Sequence, residues 1–432
     1  MTATTGASRA ATFAPPPPRA APARRSGSWW ARQVHEVGGD PALRAYGAVL
    51  ALLNFVGATF WIVNDVMRSA ARDIEPICWP LVPACQALRV LPYEGLLALA
   101  IASALGSLVV ALLFGRRATV GWAMAGLAAL LAVKLFVLAL DYRLRLNQHY
   151  MATAVTLAFL LVPRRRDALR ILLVLVYFWA GTIKLNREWI SGAALYAPLW
   201  LVPAGAATSA ACVYVVGLEL GVTWGLIARR AWVFWGALAQ FLLFHVMSWA
   251  IVGFYYPMLM FFLLAIFPIA RLVPPADDPA LLRRFFTGRA ARGAYVVAAV
   301  FSLMQLAPYA YPGDSALTGE GRLYALHMFD ARVSCEARAT VHHRDGSTSE
   351  VNLALARPVR HGCDPIVVAN RARNLCEGRG AAKDVAEVDV VLRSRRTTER
   401  EMVELVNERG VCAKPLRFDP FRHNEWLRVA SR

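Results

Sequence analysis

The stretch Gly95 to Leu140 decides the fold: GLLALAIASALGSLVVALLF (Gly95–Phe114), GRRA (Gly115–Ala118), then TVGWAMAGLAALLAVKLFVLAL (Thr119–Leu140). Two apolar runs, each close to the ~20 residues that cross a hydrocarbon layer of about 30 Å, flank a short link holding Arg116 and Arg117. Such runs back to back predict a helical hairpin through a membrane, since only helices or closed barrels satisfy every backbone group inside lipid.

The same ruler applied outward finds further spans at Tyr46–Val63, Thr208–Ile227, Trp232–Trp249 and Val252–Ala270. Tyr150–Val162, Ala168–Ile183 and Gly293–Tyr309 are shorter or less apolar, and a buried or re-entrant segment competes for each. Counting all of them, the sequence predicts a membrane all-α protein: a polytopic bundle of about nine transmembrane helices with a small C-terminal α+β extracytoplasmic domain. Composition agrees. Of 432 residues, 57% are hydrophobic and 18% charged, against about 45–50% apolar in ordinary soluble domains. The formal charge of +18 is scattered among short loops rather than gathered on one surface, which argues against a nucleic-acid partner and for membrane topology.

Arginines set the expected orientation. Arg9, Arg19, Arg24, Arg25, Arg32 and Arg44 precede the first span, and Arg116–Arg117, Arg164–Arg166, Arg229–Arg230 and Arg271 through Arg292 mark alternate loops. By the positive-inside rule these are cytoplasmic, and nine spans put everything after Tyr309 outside. Cys78, Cys85, Cys335, Cys363, Cys376 and Cys412 all fall in segments read as external, where they can pair as disulfides; Cys212 stands alone in a helix. Zinc is the competing use of these cysteines, but there is no CxxC pair, and no metal site is expected. The domain reading is 1–40 as a disordered cytoplasmic tail, 41–310 as the membrane domain and 311–432 as the extracytoplasmic domain. In the last, strands are predicted at Ala339–His343, Ser349–Leu355 and Val385–Leu392, and a helix at Thr398–Arg409. The expected location is a membrane, the bacterial inner membrane, with the N-terminus inside.

Chemistry is sought where polar side chains interrupt apolar helices, because ionisable groups at membrane depth are costly. Asn147-Gln148-His149-Tyr150 opens one helix; AGTIKLNREW (Ala180–Trp189) closes another; Glu219 and His245 lie inside two more, and Lys134 has no evident partner. Two readings stand for His149, a water-interface histidine or a functional one, and two for Lys184, a snorkelling lysine or a buried base.

The succession of NQHY, AGTIKLNREW with Tyr177 before it, an acidic helix, FLLFHVMSW (Phe241–Trp249) and the later Tyr324-Ala325-Leu326-His327-Met328-Phe329 resembles the vitamin K-dependent gamma-glutamyl carboxylases and their bacterial relatives, the horizontally transferred transmembrane domain proteins. The resemblance covers about Ala45 to Tyr311. It implies a membrane enzyme in which Lys184 is the catalytic base and His149 the functional histidine, with His245, Glu219, Asn147, Asn186, Tyr177 and Trp189 around the cofactor. It further implies reduced vitamin K or another membrane quinol, oxygen and carbon dioxide as co-substrates, and carboxylation or a related modification of a peptide glutamate or small molecule. Membrane lipid, quinone and a secreted peptide are the implied partners. Lys184 and His149 are expected to line one cavity. The chain departs from the family in carrying Ile183 where a second lysine precedes the first, and Asn186 where the enzymes have an acid. A non-catalytic quinone- or lipid-binding protein, or a partner in peptide export or maturation, is the alternative.

Overall fold

The computed structural model describes residues 28–64, 66–67, 77–195, 197–199, 202–273, 292–328, 332–354, 360–379 and 383–429. The expected tail before Ser28 lies outside them, as does most of the Arg271–Arg292 loop. The helices are α1 (Trp29–Gly39), α2 (Pro41–Val63), α3 (Tyr93–Phe114), α4 (Val120–Leu140), α5 (Asn147–Leu161), α6 (Arg165–Ile183), α7 (Arg187–Ile190), α8 (Ala206–Leu220), α9 (Ala231–Val252), α10 (Tyr255–Leu264), α11 (Ile266–Leu272), α12 (Arg292–Leu306), α13 (Ser315–Thr318) and α14 (Pro365–Cys376). The strands are β1 (Val333–His343), β2 (Thr348–Asn352), β3 (Val385–Arg396) and β4 (Val403–Glu408).

Among the described residues, seven helical segments are long and apolar enough to cross a membrane: Pro41–Val63, Tyr93–Phe114, Arg117–Leu140, Ala206–Ile227, Ala231–Val252, Tyr255–Leu272 and Gly293–Ala310. This is the architecture of an integral membrane protein. The other two of the nine expected spans are α5 and α6. α5 has 15 residues, which at about 1.5 Å per residue is shorter than the hydrocarbon layer. α6 has 19 residues, but its first turns carry Arg165, Arg166, Asp167 and Arg170. Both sit in the middle of the bundle core, with Met151, Val155, Phe159, Leu172, Leu173 and Val176 buried there. Interior helices make fewer demands on hydropathy because their neighbours are protein rather than lipid.

The stretch Trp29–Gly39, assigned to the tail by composition, is instead an amphipathic helix capped by the Ser28 hydroxyl. It is tied to the bundle by the fully buried Arg165, whose guanidinium donates to the Gln33 carbonyl at 3.0 Å and to the Gln33 side chain.

The sheet is antiparallel in the order β2-β1-β3-β4. Its buried face, including Val341, Val388, Val390 and Leu392, packs with Val368 and Leu375 of α14. The three predicted strands are present, the second ending at Asn352 while the last residue predicted for it, Leu355, lies outside the described residues. Thr398–Arg409 is not a helix: it is a turn followed by β4, which pairs with β3 from Ser394↔Val403 to Val390↔Glu408. The charge spacing of that segment suits a helix, but pairing to β3 buries Leu405 and Val406, and tertiary context overrides local preference. Conversely α14 went unpredicted although its start signals are in the sequence: Asp364 caps it and Pro365 occupies its first turn. The six cysteines expected to pair do so, as Cys78–Cys85, Cys335–Cys363 and Cys376–Cys412, and Cys212 is free and buried.

The sheet domain is fastened to one end of the bundle by polar contacts. Tyr142 donates to Asp364 at 2.7 Å, and Asn370 of α14 exchanges hydrogen bonds with the backbone of Cys78. Arg396 bridges Glu188 of α7 at 2.9 Å and Asp314 at 2.5 Å, and Thr398 donates to Glu188. Burial works against the Arg396 charge, but the two carboxylates outweigh it and raise its pKa further.

Candidate functional site

Lys184 is the C-cap of α6. Its side chain turns inward rather than toward a lipid interface and is 2% exposed. Nζ lies 2.6 Å from each carboxylate oxygen of Glu219 on α8 and 5.1 Å from the centroid of the Trp189 ring. Gly181 makes this approach possible, because a Cβ there would stand 2.9 Å from the Glu219 Cβ and 3.0 Å from Leu220 Cγ. The glycine of the AGTIKLN stretch thus sets the spacing of α6 and α8 at the depth where lysine and glutamate meet. Trp189 is held by its indole N–H to the Cys212 carbonyl at 2.9 Å. Asn186 caps α7, accepting from Trp189 N at 2.8 Å and donating to the Ile183 carbonyl at 2.7 Å. Its amide therefore fixes the turn after Lys184.

Tyr177 lies on α6 below this pair, and its hydroxyl is 2.7 Å from Nε2 of His245 on α9. Both are buried. Tyr177 also packs against Phe241, centroids 4.2 Å apart, and His245 against Tyr256 at 5.7 Å. Lys184, Glu219, Trp189, Tyr177 and His245 are therefore gathered from α6, α7, α8 and α9 into one buried region.

His149 stands apart from that region. At the start of α5 it accepts a hydrogen bond at 3.4 Å from the Trp61 indole, which assigns Nε2 as acceptor and leaves the proton on Nδ1. Nδ1 is buried without a partner. His149 lines a crevice of about 600 Å³ to which Lys184 does not contribute. The expected single cavity is thus divided in two. The halves adjoin at Tyr255 and Tyr256, successive residues of α10, which face His149 at 5.9 Å and His245 at 5.7 Å. Asn147 does not face the lysine either; its side-chain oxygen accepts from His327 N at 3.1 Å.

The crevice runs along α5 between α4 and α12. At the sheet-domain end it is lined by Trp79, Arg145, His149 and His327; further along by Leu157, Leu161, Val296 and Val300. One stripe of α5 reads His149, Thr153, Leu157, Leu161, polar for one turn and apolar for the rest, as the i, i+4 spacing requires. The Thr153 hydroxyl is a second buried polar group without a partner. His327, Arg145 and Thr153 were not selected from sequence; the signal for the first was its place in the Tyr324–Phe329 stretch. The described part of that stretch, Tyr324–Met328, enters the bundle: Leu326 N donates to Gln305 at 2.7 Å, Tyr150 donates to the Tyr324 carbonyl at 2.8 Å, and the Tyr256 hydroxyl meets Met328 Sδ at 3.3 Å.

On the other side of Leu326 a more polar cavity of about 990 Å³ lies between bundle and sheet domain, lined by Asn186, Arg187, Glu188, Arg322, Arg396 and Glu399 among others. Among the described residues no group of His, Cys, Asp or Glu is arranged to hold a metal ion. No family model, curated protein or solved structure matches this chain.

The crevice suits an amphiphile, with a wide apolar wall and a few convergent polar groups at one end. Its polar end offers two buried groups without hydrogen-bond partners, His149 Nδ1 and the Thr153 hydroxyl. The Lys184–Glu219 pair, shielded by Trp189, can hold and pass a proton out of contact with bulk water.

Proposed function

We propose that the protein is a membrane enzyme that binds a reduced quinone in the His149 crevice and uses Lys184, with Glu219, as its base, in an oxygen-dependent carboxylation or related modification of a peptide glutamate or small molecule. The observation that carries this reading is the buried Lys184–Glu219 pair, 2.6 Å apart, built by two apolar helices around Gly181. A buried ion pair contributes little net stability, so its presence at membrane depth points to a working role. Here His149 and Thr153 orient the ring, and the Lys184–Glu219 pair shares one proton over 2.6 Å; when that proton sits on the Glu219 carboxylate, the neutral Lys184 amine is free to accept another. Tyr177 and His245 complete a hydrogen-bonded layer beneath. A bound quinol would supply the reducing equivalents for oxygen. The polar cavity at Asn186 and Arg187 would admit the polar substrate, and the 324–328 segment closes the boundary between the two compartments.

In this reading α5 and α6 join the seven apolar segments to make nine crossings, the arginine-bearing loops are cytoplasmic, and the sheet domain with its disulfides is extracytoplasmic. Both the arginine alternation and the six paired cysteines support that orientation.

A second reading, a non-catalytic quinone- or lipid-binding protein or a partner in peptide export or maturation, is favoured by one observation: Lys184 is fully engaged by Glu219 and does not line the crevice. Mass spectrometry of protein purified from native membranes, followed by a quinol-oxidation assay, separates the two. The enzyme retains a quinone and oxidises added quinol in a Lys184-dependent manner. Retention without turnover establishes the binder, and failure to retain or bind any quinone removes the quinone from both.

A further inference from the structure

α1 presents a face that the bundle leaves uncovered. Gln33, Val37 and Gly38 are buried, whereas Trp29 and Trp30 at its start are 43% and 36% exposed, with ring centroids 6.2 Å apart. The helix is held at the arginine-bearing ends of its neighbours. A Cβ on Gly121, in the first turn of α4, would lie 3.7 Å from Val34, and one on Gly38 would lie 3.7 Å from Arg117. Glu36 accepts at 3.0 Å from the backbone N–H of Arg165, where α6 begins. Around this contact, Leu112 near the end of α3 and Trp122 in the first turn of α4 are exposed, and the exposed Arg116 and Arg117 lie between them in sequence. Apolar side chains giving way to tryptophan and then to arginine is the order found where hydrocarbon passes into headgroups.

Charge at this end is unbalanced. The described carboxylates here are Glu36, Asp40 and Asp167. Glu36 is taken by the Arg165 N–H, Asp40 by Arg166 at 3.3 Å and Asp167 by Arg170 at 4.0 Å. Arg116, Arg117 and Arg164 are exposed and have no ion pair among the described residues. The sequence up to His35 adds Arg9, Arg19, Arg24, Arg25 and Arg32 and contains no Asp or Glu. An acidic soluble partner would satisfy the arginines alone. A bilayer surface with anionic headgroups satisfies the arginines and the two exposed tryptophans together.

We propose that α1 is a membrane-surface helix that docks on anionic phospholipid, with Trp29 and Trp30 in the headgroup layer and Arg116, Arg117 and Arg164 holding lipid phosphates beside them. Guanidinium-to-phosphate hydrogen bonds are charge-assisted and often bidentate. Trp29 and Trp30 supply the apolar part of the contact, since their rings sit best at the boundary between hydrocarbon and water. None of these residues lines the His149 crevice or the polar cavity at Asn186.

The test uses full-length protein with Ala31→Cys on the exposed side of α1 and the free Cys212 changed to Ala. A dansyl group is attached at position 31, and the protein is placed in nanodiscs of phosphatidylcholine mixed with phosphatidylglycerol. The same mixture is made twice, with bromine near the top of the acyl chains of one lipid or of the other. The dye is expected to emit from a water-poor environment, and each phosphatidylglycerol to quench it about fivefold more than each phosphatidylcholine, the effect of one basic residue near an anionic surface. Arg116→Gln, Arg117→Gln and Arg164→Gln together should bring that ratio close to one, and added salt should lower it with the arginines in place. Trp29→Ala with Trp30→Ala should move the dye toward water. Equal quenching by the two lipids with the arginines in place, or a ratio that neither salt nor the triple change moves, overturns the anionic preference. A dye that sits in water and is quenched by neither lipid overturns the membrane docking itself and leaves the face to a soluble partner.

Discussion

Lys184 Nζ meets both carboxylate oxygens of Glu219 at 2.6 Å across the α6–α8 contact, with 3% and 2% of the two side chains exposed. Neither group can lose the other without a buried charge being left alone. Glu219→Gln or Lys184→Ala is expected to lower stability by about 3–5 kcal/mol, whereas the double change Lys184→Met with Glu219→Leu should recover most of the loss. Thermal denaturation of the two singles and the double forms the cycle; additive losses would show that the pair is not coupled. If the proposed enzymatic function holds, activity should vanish in all of them and in Lys184→Arg, because a guanidinium does not give up its proton.

Gly181 controls the same contact through shape. Its missing Cβ is replaced by Glu219 and Leu220 at 2.9 and 3.0 Å, so Gly181→Ala pushes α8 away from α6. The expected cost is about 1–3 kcal/mol, together with a loss of activity larger than the loss of folded protein. Wild-type turnover in Gly181→Ala would mean that the Lys184–Glu219 spacing is not critical.

Arg396 joins the sheet domain to the bundle through Glu188, whose side chain is 3% exposed, and Asp314. Arg396→Ala leaves Glu188 with Thr398 as its remaining side-chain partner. Proteolysis in detergent should then release the C-terminal domain faster than in the wild type, with the membrane core unchanged. Arg396→Lys restores the charge but not the fork that reaches two carboxylates, so partial rescue is expected.

Cys376–Cys412 and Cys335–Cys363 close loops of 36 and 28 residues in sequence separation within the sheet domain. Removing either is expected to cost about 2–4 kcal/mol. Mass mapping of protein from native membranes under non-reducing conditions should find both intact. Four free thiols there would contradict the pairing and the extracytoplasmic placement together.

Ser347 sits in the exposed turn between β1 and β2. A Ser347→Cys protein should react with a membrane-impermeant maleimide in intact cells, and a cysteine placed at Arg229 only after permeabilisation. Labelling of Ser347→Cys solely after permeabilisation would place the sheet domain inside and rule out nine crossings from a cytoplasmic N-terminus.

The membrane class of this protein was determined by its sequence alone, because a run such as Gly95–Phe114 is long and apolar in any fold, and length against a bilayer is a local property. The arginine loops and the grouping of six cysteines were legible for the same reason. The strand at Val403–Glu408 was not, since its charge spacing also fits a helix and only pairing with Val390–Ser394 selects the extended form. Nor was the chemistry of Lys184. From sequence it was a cation at a helix end, equally suited to snorkelling. Its inward turn depends on Glu219, 35 residues away on a different helix, and on a glycine that lets that helix come close. His149 shows the reverse: the sequence placed it beside Lys184, but the helix order put Tyr255 and Tyr256 between the two regions. Which polar groups meet inside a bundle is decided by which helices adjoin and in what rotation, and neither is written in the hydropathy of any one segment.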